Sequence, residues 1–378
     1  MIYLDNAAST HPKPVEVYRA VLQQLRENGA NPGRSGHDLS MQASETVFLA
    51  RQLMGMLFGA SEQNIIFTKN TTEAINLALR GLLKRGDHVL VSDLEHNSVL
   101  RPLVSMKSEG IEFDIVKTSA KDKETVEHFI EALRPNTRLI LCTHASNVTG
   151  QILPIRNIGH ICRANNILFG VDGAQTAGIE KYNLSHDPVD FLCVPGHKGL
   201  LAPQGTGALI LGKQIEMKSL ILGGTGTDSL LWSQPLEFPE GYESGTLNTP
   251  GIAGLAEGVR FILRYGDTIR AHEKKLRQLF LHKISEVSGF YPIGEGEDFV
   301  GTISVVHESD HSETIAQWLN QHGICARGGY HCAALAHKKL GTEDLGALRI
   351  SFGYRNTEYD VVECVKILNK YQNNRVRS

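Results

Sequence analysis

The sequence predicts an α/β fold in which a large, mostly parallel seven-stranded sheet is covered on both faces and a smaller α+β unit follows. Three observations carry this. Seven short apolar runs alternate with longer helical patterns between residues 64 and 211, the pattern of strands joined by crossover helices. The character changes near residue 252, where one long helical stretch leads into short strands. The chain has 378 residues, more than one typical core holds. The expected division is a large domain over 15–254 and a small domain made of 1–14 with 255–378.

The seven runs are 64–67, 88–91, 113–116, 139–142, 167–171, 191–194 and 207–211. Each is short, bounded by turn residues and rich in Val, Ile, Leu or Phe, as buried strands are. After them, Gly254 to Val287 reads as one helix. Val300 to Val306 and Leu348 to Phe352 read as strands, with a helix from Ser312 to His322 between them.

Composition excludes several classes. Hydrophobic content of 41% with a net charge of −3 gives no broad basic field for nucleic acid or an anionic membrane. No apolar run approaches the roughly 20 residues of a membrane span. The start, Met1-Ile2-Tyr3-Leu4-Asp5, lacks the basic and apolar regions of a signal peptide, so the expected location is the cytoplasm. The six cysteines (142, 162, 193, 325, 332 and 364) form no C-x-x-C pair, and no metal site is expected. No G-x-G-x-x-G follows the first strand, which argues against a dinucleotide-binding dehydrogenase.

Sites in such sheets lie at the carboxyl ends of strands. Four predicted strand ends carry reactive or hydrogen-bonding groups: Thr68 to Glu73, Thr143 to Asn147, Asp172 to Gln175, and Pro195 to Lys198. Lys198 alone is more often a surface residue, but a lysine in a cleft can shed its proton and form a Schiff base. Asp172 alone is often a helix cap. Together, an Asp at one strand end and a Lys at the next suit pyridoxal 5'-phosphate (PLP), whose ring nitrogen needs a carboxylate to make it an electron sink. Thr71 and Thr72 open a helix, either as a plain cap or as a phosphate site. His96 is a loop histidine or a ring stacked on a cofactor.

The segments Tyr3–Ser9, Asn70–Asn76, Glu95–Ser98, Ser146–Gly150, Val171–Gln175 and Gly196–Lys198 together resemble the class V aminotransferase group of fold-type I PLP enzymes. The resemblance is strongest to cysteine desulfurases and selenocysteine lyases. It covers nearly the whole chain, with the motifs in order. It implies that Lys198 carries PLP and shuttles the proton at the substrate Cα. Asp172 would pair with the ring nitrogen, His96 would stack on the ring and Gln175 would bond the phenolate oxygen. Thr71, Thr72 and His197 would hold the phosphate, with Thr246 reaching the phosphate of a partner subunit in a homodimer. Asn147 and Arg349 would bind the substrate carboxylate; a guanidinium inside an apolar strand suits that task.

Cys332 lies in Arg327-Gly328-Gly329-Tyr330-His331-Cys332. Its two glycines and lack of period suggest a mobile loop, and nearby Arg327 and His331 favour a thiolate. The loop resembles that of the second desulfurase group. Cys332 would then take the sulfur of L-cysteine as a persulfide and leave alanine, with Arg327 assisting, and would pass the sulfur to an acceptor protein. L-Selenocysteine is the close variant substrate. A cystine or cysteine-sulfoxide lyase, or an aminotransferase, would not need Cys332. Two departures stand out. Pro195 replaces a serine that often contacts phosphate in the family, which removes a hydroxyl. The opening Tyr3 to Asn6 and Asn31-Pro32-Gly33 resemble the first desulfurase group instead.

Overall fold

A computed structural model of the chain describes residues 1–33 and 36–376. A short strand β1 (Ile2–Tyr3) leads to helices α1 (Val15–Glu27) and α2 (Asp38–Phe58). The main sheet is then built from β2 (Ile65–Thr68), β3 (His88–Ser92), β4 (Glu112–Val116), β5 (Thr137–Thr143), β6 (Leu168–Asp172), β7 (Phe191–Pro195) and β8 (Gly207–Leu211). These are the seven runs that the sequence marks. Helices α3 (Thr71–Leu82), α4 (Asn97–Met106), α5 (Asp122–Glu131) and α6 (Ile155–Ala164) connect them.

The strand order is β2-β8-β7-β6-β5-β3-β4. Only β8 runs against its neighbours; the ladders from β7 through β4 are parallel. Alternate residues of one strand feed two cores. Ile140 and Cys142 of β5 pack on one face with α2 and α6, and Leu139 and Leu141 pack on the other with α3 and α4. A strand buried on both faces is therefore apolar throughout, which is why these runs were legible.

The second sheet is antiparallel, β12-β10-β9, formed by β9 (Phe290–Ile293), β10 (Thr302–His307) and β12 (Leu348–Ser351). A two-residue strand β11 (Ile324–Cys325) pairs with β1. Helices α8 (Ser312–Gln321), α9 (Ala334–Leu340) and α10 (Glu358–Val376) complete this part. Helix α7 (Thr249–Ile284) spans both cores: Ile252, Leu255 and Val259 pack with the large sheet, and Leu276, Phe280 and Ile284 with the small one. It begins five residues before the apolar period does. The Asn248 side chain accepts from the Gly251 N–H at 3.1 Å and Pro250 sits in the first turn, a start signal that apolar periodicity does not register.

One buried ion pair ties the segment before α7 to the large sheet. Arg51 of α2 meets Glu243 at 2.5 Å, with side chains 9% and 3% exposed. Glu243 also accepts from the Phe67 N–H at 2.5 Å. Burial raises the Glu243 carboxyl and Arg51 opposes that rise. Removing the cation strands a buried carboxylate, which costs about 3–5 kcal/mol. Arg51→Ala is expected to lower the urea midpoint of unfolding by a corresponding amount; an unchanged midpoint would refute this role of the pair.

Candidate active site

The register of the parallel strands sets the site. Thr143 of β5 pairs with Asp172 of β6, and Asp172 pairs with Cys193 of β7. The residues just past these pairs therefore emerge at one sheet edge. Asp172 is 2% exposed and accepts from the Ala174 N–H at 2.9 Å. Burial lifts its carboxyl to about 6, against the pull of that hydrogen bond and of Lys198. Lys198 follows β7 through a tight loop. A Cβ on Gly196 would lie 2.0 Å from Thr206 Oγ1, and one on Gly199 would lie 2.3 Å from the Ala177 carbonyl oxygen. Only glycine allows the loop to pack that closely. Burial first, and Arg349 second, lower the Lys198 amine to about 8, while Asp172 opposes them.

His96 caps α4. Its Nδ1 accepts from the Ser98 N–H at 3.0 Å, so the neutral ring carries its hydrogen on Nε2. Burial, then Lys198, push it down to about 4. Glu95 beside it was missed by the sequence reading. It is fully buried and accepts from Ser92 Oγ at 2.5 Å and from the Thr143 N–H at 2.9 Å, clamping the ends of β3 and β5 together. Burial raises it to about 8. Its signal in the sequence was a charged residue set between a buried strand and a capping histidine.

Arg349, in β12, is 2% exposed. It donates to the Asn147 carbonyl oxygen at 3.1 Å and to Asp5 Oδ1 at 2.8 Å. Asp5, from the N-terminal segment, holds the guanidinium in place. Arg327 bridges to Arg349 through the backbone, with the Arg349 N–H donating to the Arg327 carbonyl oxygen at 2.8 Å. The cysteine loop is pinned from the large sheet's side. Asn147 Nδ2 donates to the His331 carbonyl oxygen at 2.8 Å, and the Asn97 N–H donates to that of Cys332 at 2.8 Å. His331 and Cys332 both have left-handed backbones, with φ of 49° and 56°, and such strain concentrates at functional sites. Cys332 itself is exposed.

One cavity of about 240 Å³ brings these groups together. Lys198, Asp172, His96, Gln175, Thr71, Thr72, His197, Asn147, Arg327, Arg349 and Cys332 all line it, with His331 and Pro195. Gln175 is held by donation to the Ala7 carbonyl oxygen at 3.3 Å. His197 is lowered to about 4 by burial, then by Lys198 and Lys13. Thr246 does not line the cavity; it is exposed beside Gly245 and faces separate clefts. Among the described residues, seven buried side-chain polar atoms have no hydrogen-bond partner. Five of them belong to this cavity: Thr71 Oγ1, Asn147 Oδ1, His197 Nδ1, His331 Nδ1 and Arg349 Nε. Unpaired buried polar atoms are costly, and their concentration here fits a polar, anionic ligand. The donor set suits PLP: a carboxylate for a ring nitrogen, a lysine amine, and hydroxyls at the start of α3 for a phosphate.

A lysine amine with a pKa near 8 is reactive where ordinary lysines, near about 10.4, are still ammonium. In the cofactor-free protein, carbamylation of Lys198 by cyanate, followed by peptide mass spectrometry, is expected to rise with pH through a midpoint of about 8. A midpoint above 10 would refute the burial argument.

The family model for class-V aminotransferases matches residues 2–363. A probable cysteine desulfurase of Methanothermobacter thermautotrophicus is 34% identical over 368 residues, covering 95% of this chain and 92% of that one. The cysteine desulfurase IscS of Shewanella denitrificans is 28% identical, covering 97% and 91%. Among solved structures, the apo cysteine desulfurase of Thermococcus onnurineus NA1 superposes with a TM-score of 0.90 at 29% identity, covering 99% of this chain and 95% of that one. With the fold, the strand-end residues and these likenesses in agreement, the chain belongs to the class-V aminotransferase family.

Proposed function

We propose that this protein is a PLP-dependent cysteine desulfurase that converts L-cysteine to L-alanine and carries the sulfur as a persulfide on Cys332. The observation that carries this is the single cavity lined by Lys198, Asp172, Arg349 and Cys332. The relatives named cysteine desulfurase along nearly the full chain support it.

In this mechanism Asp172 would hold the ring nitrogen, His96 would pack on the ring, Gln175 would bond the phenolate oxygen, and Thr71, Thr72 and His197 would hold the phosphate. When bound, PLP supplies an electron sink for the substrate Cα. Arg349, oriented by Asp5 and by the Asn147 carbonyl oxygen, binds the substrate carboxylate together with Asn147. Lys198 can move a proton at the substrate Cα near neutral pH, because burial and Arg349 have lowered its amine to about 8. Cys332 gives up its proton and its sulfur attacks the substrate sulfur; the S–S bond forms as the Cβ–S bond breaks. The electron pair stays on Cβ, which takes one proton in place of the one the thiol gave up, and the products are a persulfide on Cys332 and alanine. Arg327 stands beside this transfer. Pro195 lines the cavity without offering the phosphate a hydroxyl.

The same proposal takes residues 15–254 as the PLP-binding domain and 1–14 with 255–378 as the small domain. It includes a homodimer in which Thr246 reaches the partner's phosphate. Exposed apolar side chains, Leu222, Leu230 and a fully exposed Trp232, support self-association. No helix among the described residues is long and apolar enough to cross a membrane, and a cytoplasmic location is proposed.

Alanine release from L-cysteine, measured with a reductant present, tests the proposal. Cys332→Ala is expected to keep the yellow colour of bound PLP and to lose about 100-fold or more of alanine release. Lys198→Ala is expected to lose all turnover. Equal release by the parent and Cys332→Ala would overturn the persulfide route.

A further inference from the structure

The N-terminal segment runs from the small sheet to the loop that carries Lys198. Its β1 pairs with β11. Asn6, 6% exposed, donates from Nδ2 to the Ser351 carbonyl oxygen at 3.0 Å and to Asn356 Oδ1 at 3.1 Å. The Ala7 N–H donates to Ser351 Oγ at 2.9 Å. These bonds fix the segment to the small-sheet side, and the residues that follow reach across to the large sheet.

Both peptide groups that flank the Lys198 Cα are bonded to this segment. The His197 carbonyl oxygen accepts from the Thr10 N–H at 3.1 Å, from Ser9 Oγ at 3.3 Å and from Lys13 Nζ at 2.5 Å. Among the described residues, no other group donates to it. The Lys198 carbonyl oxygen accepts from Thr10 Oγ1 at 3.1 Å and from the Leu201 N–H at 2.8 Å. A peptide group is planar, so two dihedrals set the chain at each Cα. Holding the plane on either side of Lys198 sets both, and with them the direction in which its side chain leaves the backbone. Thr10 is buried, 7% exposed, and bonds both planes. Lys13 supplies the shortest of these bonds from a charged donor, and charged donors make the stronger hydrogen bonds.

We propose that Thr10 and Lys13 are positioning residues that hold Lys198 in the orientation its chemistry needs. It rests on the role given above to Lys198. Neither residue lines the main cavity; both act through the Lys198 backbone. Gly196 and Gly199 on either side let the loop pack closely, but glycine also adds backbone freedom. The bonds from residues 9–13 remove that freedom where the reacting amine is attached. A reacting group misplaced by about 1 Å costs about 100-fold in rate, so this bracing bears directly on what Lys198 can do.

The test measures how fast the cofactor-free full chain forms its covalent bond to added PLP, trapped with borohydride at intervals and assigned to Lys198 by peptide mass spectrometry. This readout does not depend on Cys332 or on sulfur chemistry. Thr10→Val removes one hydroxyl and keeps the Thr10 N–H, and Lys13→Met removes the charged donor and keeps an apolar stem. Each is expected to slow capture about 10-fold. Thr10→Ser and Lys13→Arg, which restore a donor, are expected to recover most of the rate. A second readout is alanine release from L-cysteine by the PLP-loaded protein. There Thr10→Val and Lys13→Met are expected to lower kcat and leave KM unchanged, since Arg349 and Asn147 are untouched. Parental capture rates in both Thr10→Val and Lys13→Met, or a slowing that Thr10→Ser and Lys13→Arg do not reverse, would overturn the proposal. A parent that captures PLP on Lys198 but releases no alanine would sink the desulfurase assignment and leave this proposal to stand on the capture rates. A parent in which PLP is not trapped on Lys198 would sink both.

Discussion

The pairing of Thr143 with Asp172, and of Asp172 with Cys193, is the constraint on which the site depends. Side chains in a strand alternate between faces, so a slip of one residue would send Asp172 to the opposite face. Both faces are buried, and two separate cores hold the register. With the register set, Lys198 is the third residue after β7 and must turn into the cavity that Asp172 lines. Gly196 and Gly199 make that turn sterically possible.

The second constraint is electrostatic. Lys198, Arg327 and Arg349 share one cavity with the single carboxylate of Asp172. Arg349 is held by Asp5 from the N-terminal segment, which leaves its Nε free in the cavity. The excess of cationic groups and orphaned polar atoms fits the cavity to an anion. The same excess, together with burial, keeps His96 and His197 neutral and lowers the Lys198 amine into the working range of a proton carrier. Structure and reactivity here have one origin: groups that prefer water have been placed where little water reaches.

Helix α7 joins this site to the rest of the chain. Its first half packs on the large sheet and its second half on the small one. Arg349 and Cys332 come from the small sheet's side, and Lys198 and Asp172 from the large sheet. A site assembled from both sides responds to any change in how α7 seats.

The sequence by itself determined the seven strands of the large sheet, because burial on both faces makes a strand apolar throughout. It also determined which strand ends bear Asp172 and Lys198, since polar residues that close an apolar run are visible in one dimension. Strand β9 escaped it: Phe290-Tyr291-Pro292-Ile293 contains a proline, and β9 lies at the edge of its sheet, where the missing N–H is tolerated. Two-residue strands such as β1 and β11 have no period to read. Glu95 and Asp5 are ordinary acidic residues in the sequence. Only tertiary structure decided that Glu95 clamps two strands and that Asp5 meets Arg349 across 344 positions. Burial and long-range pairing are properties of the packed chain, and no local pattern encodes them.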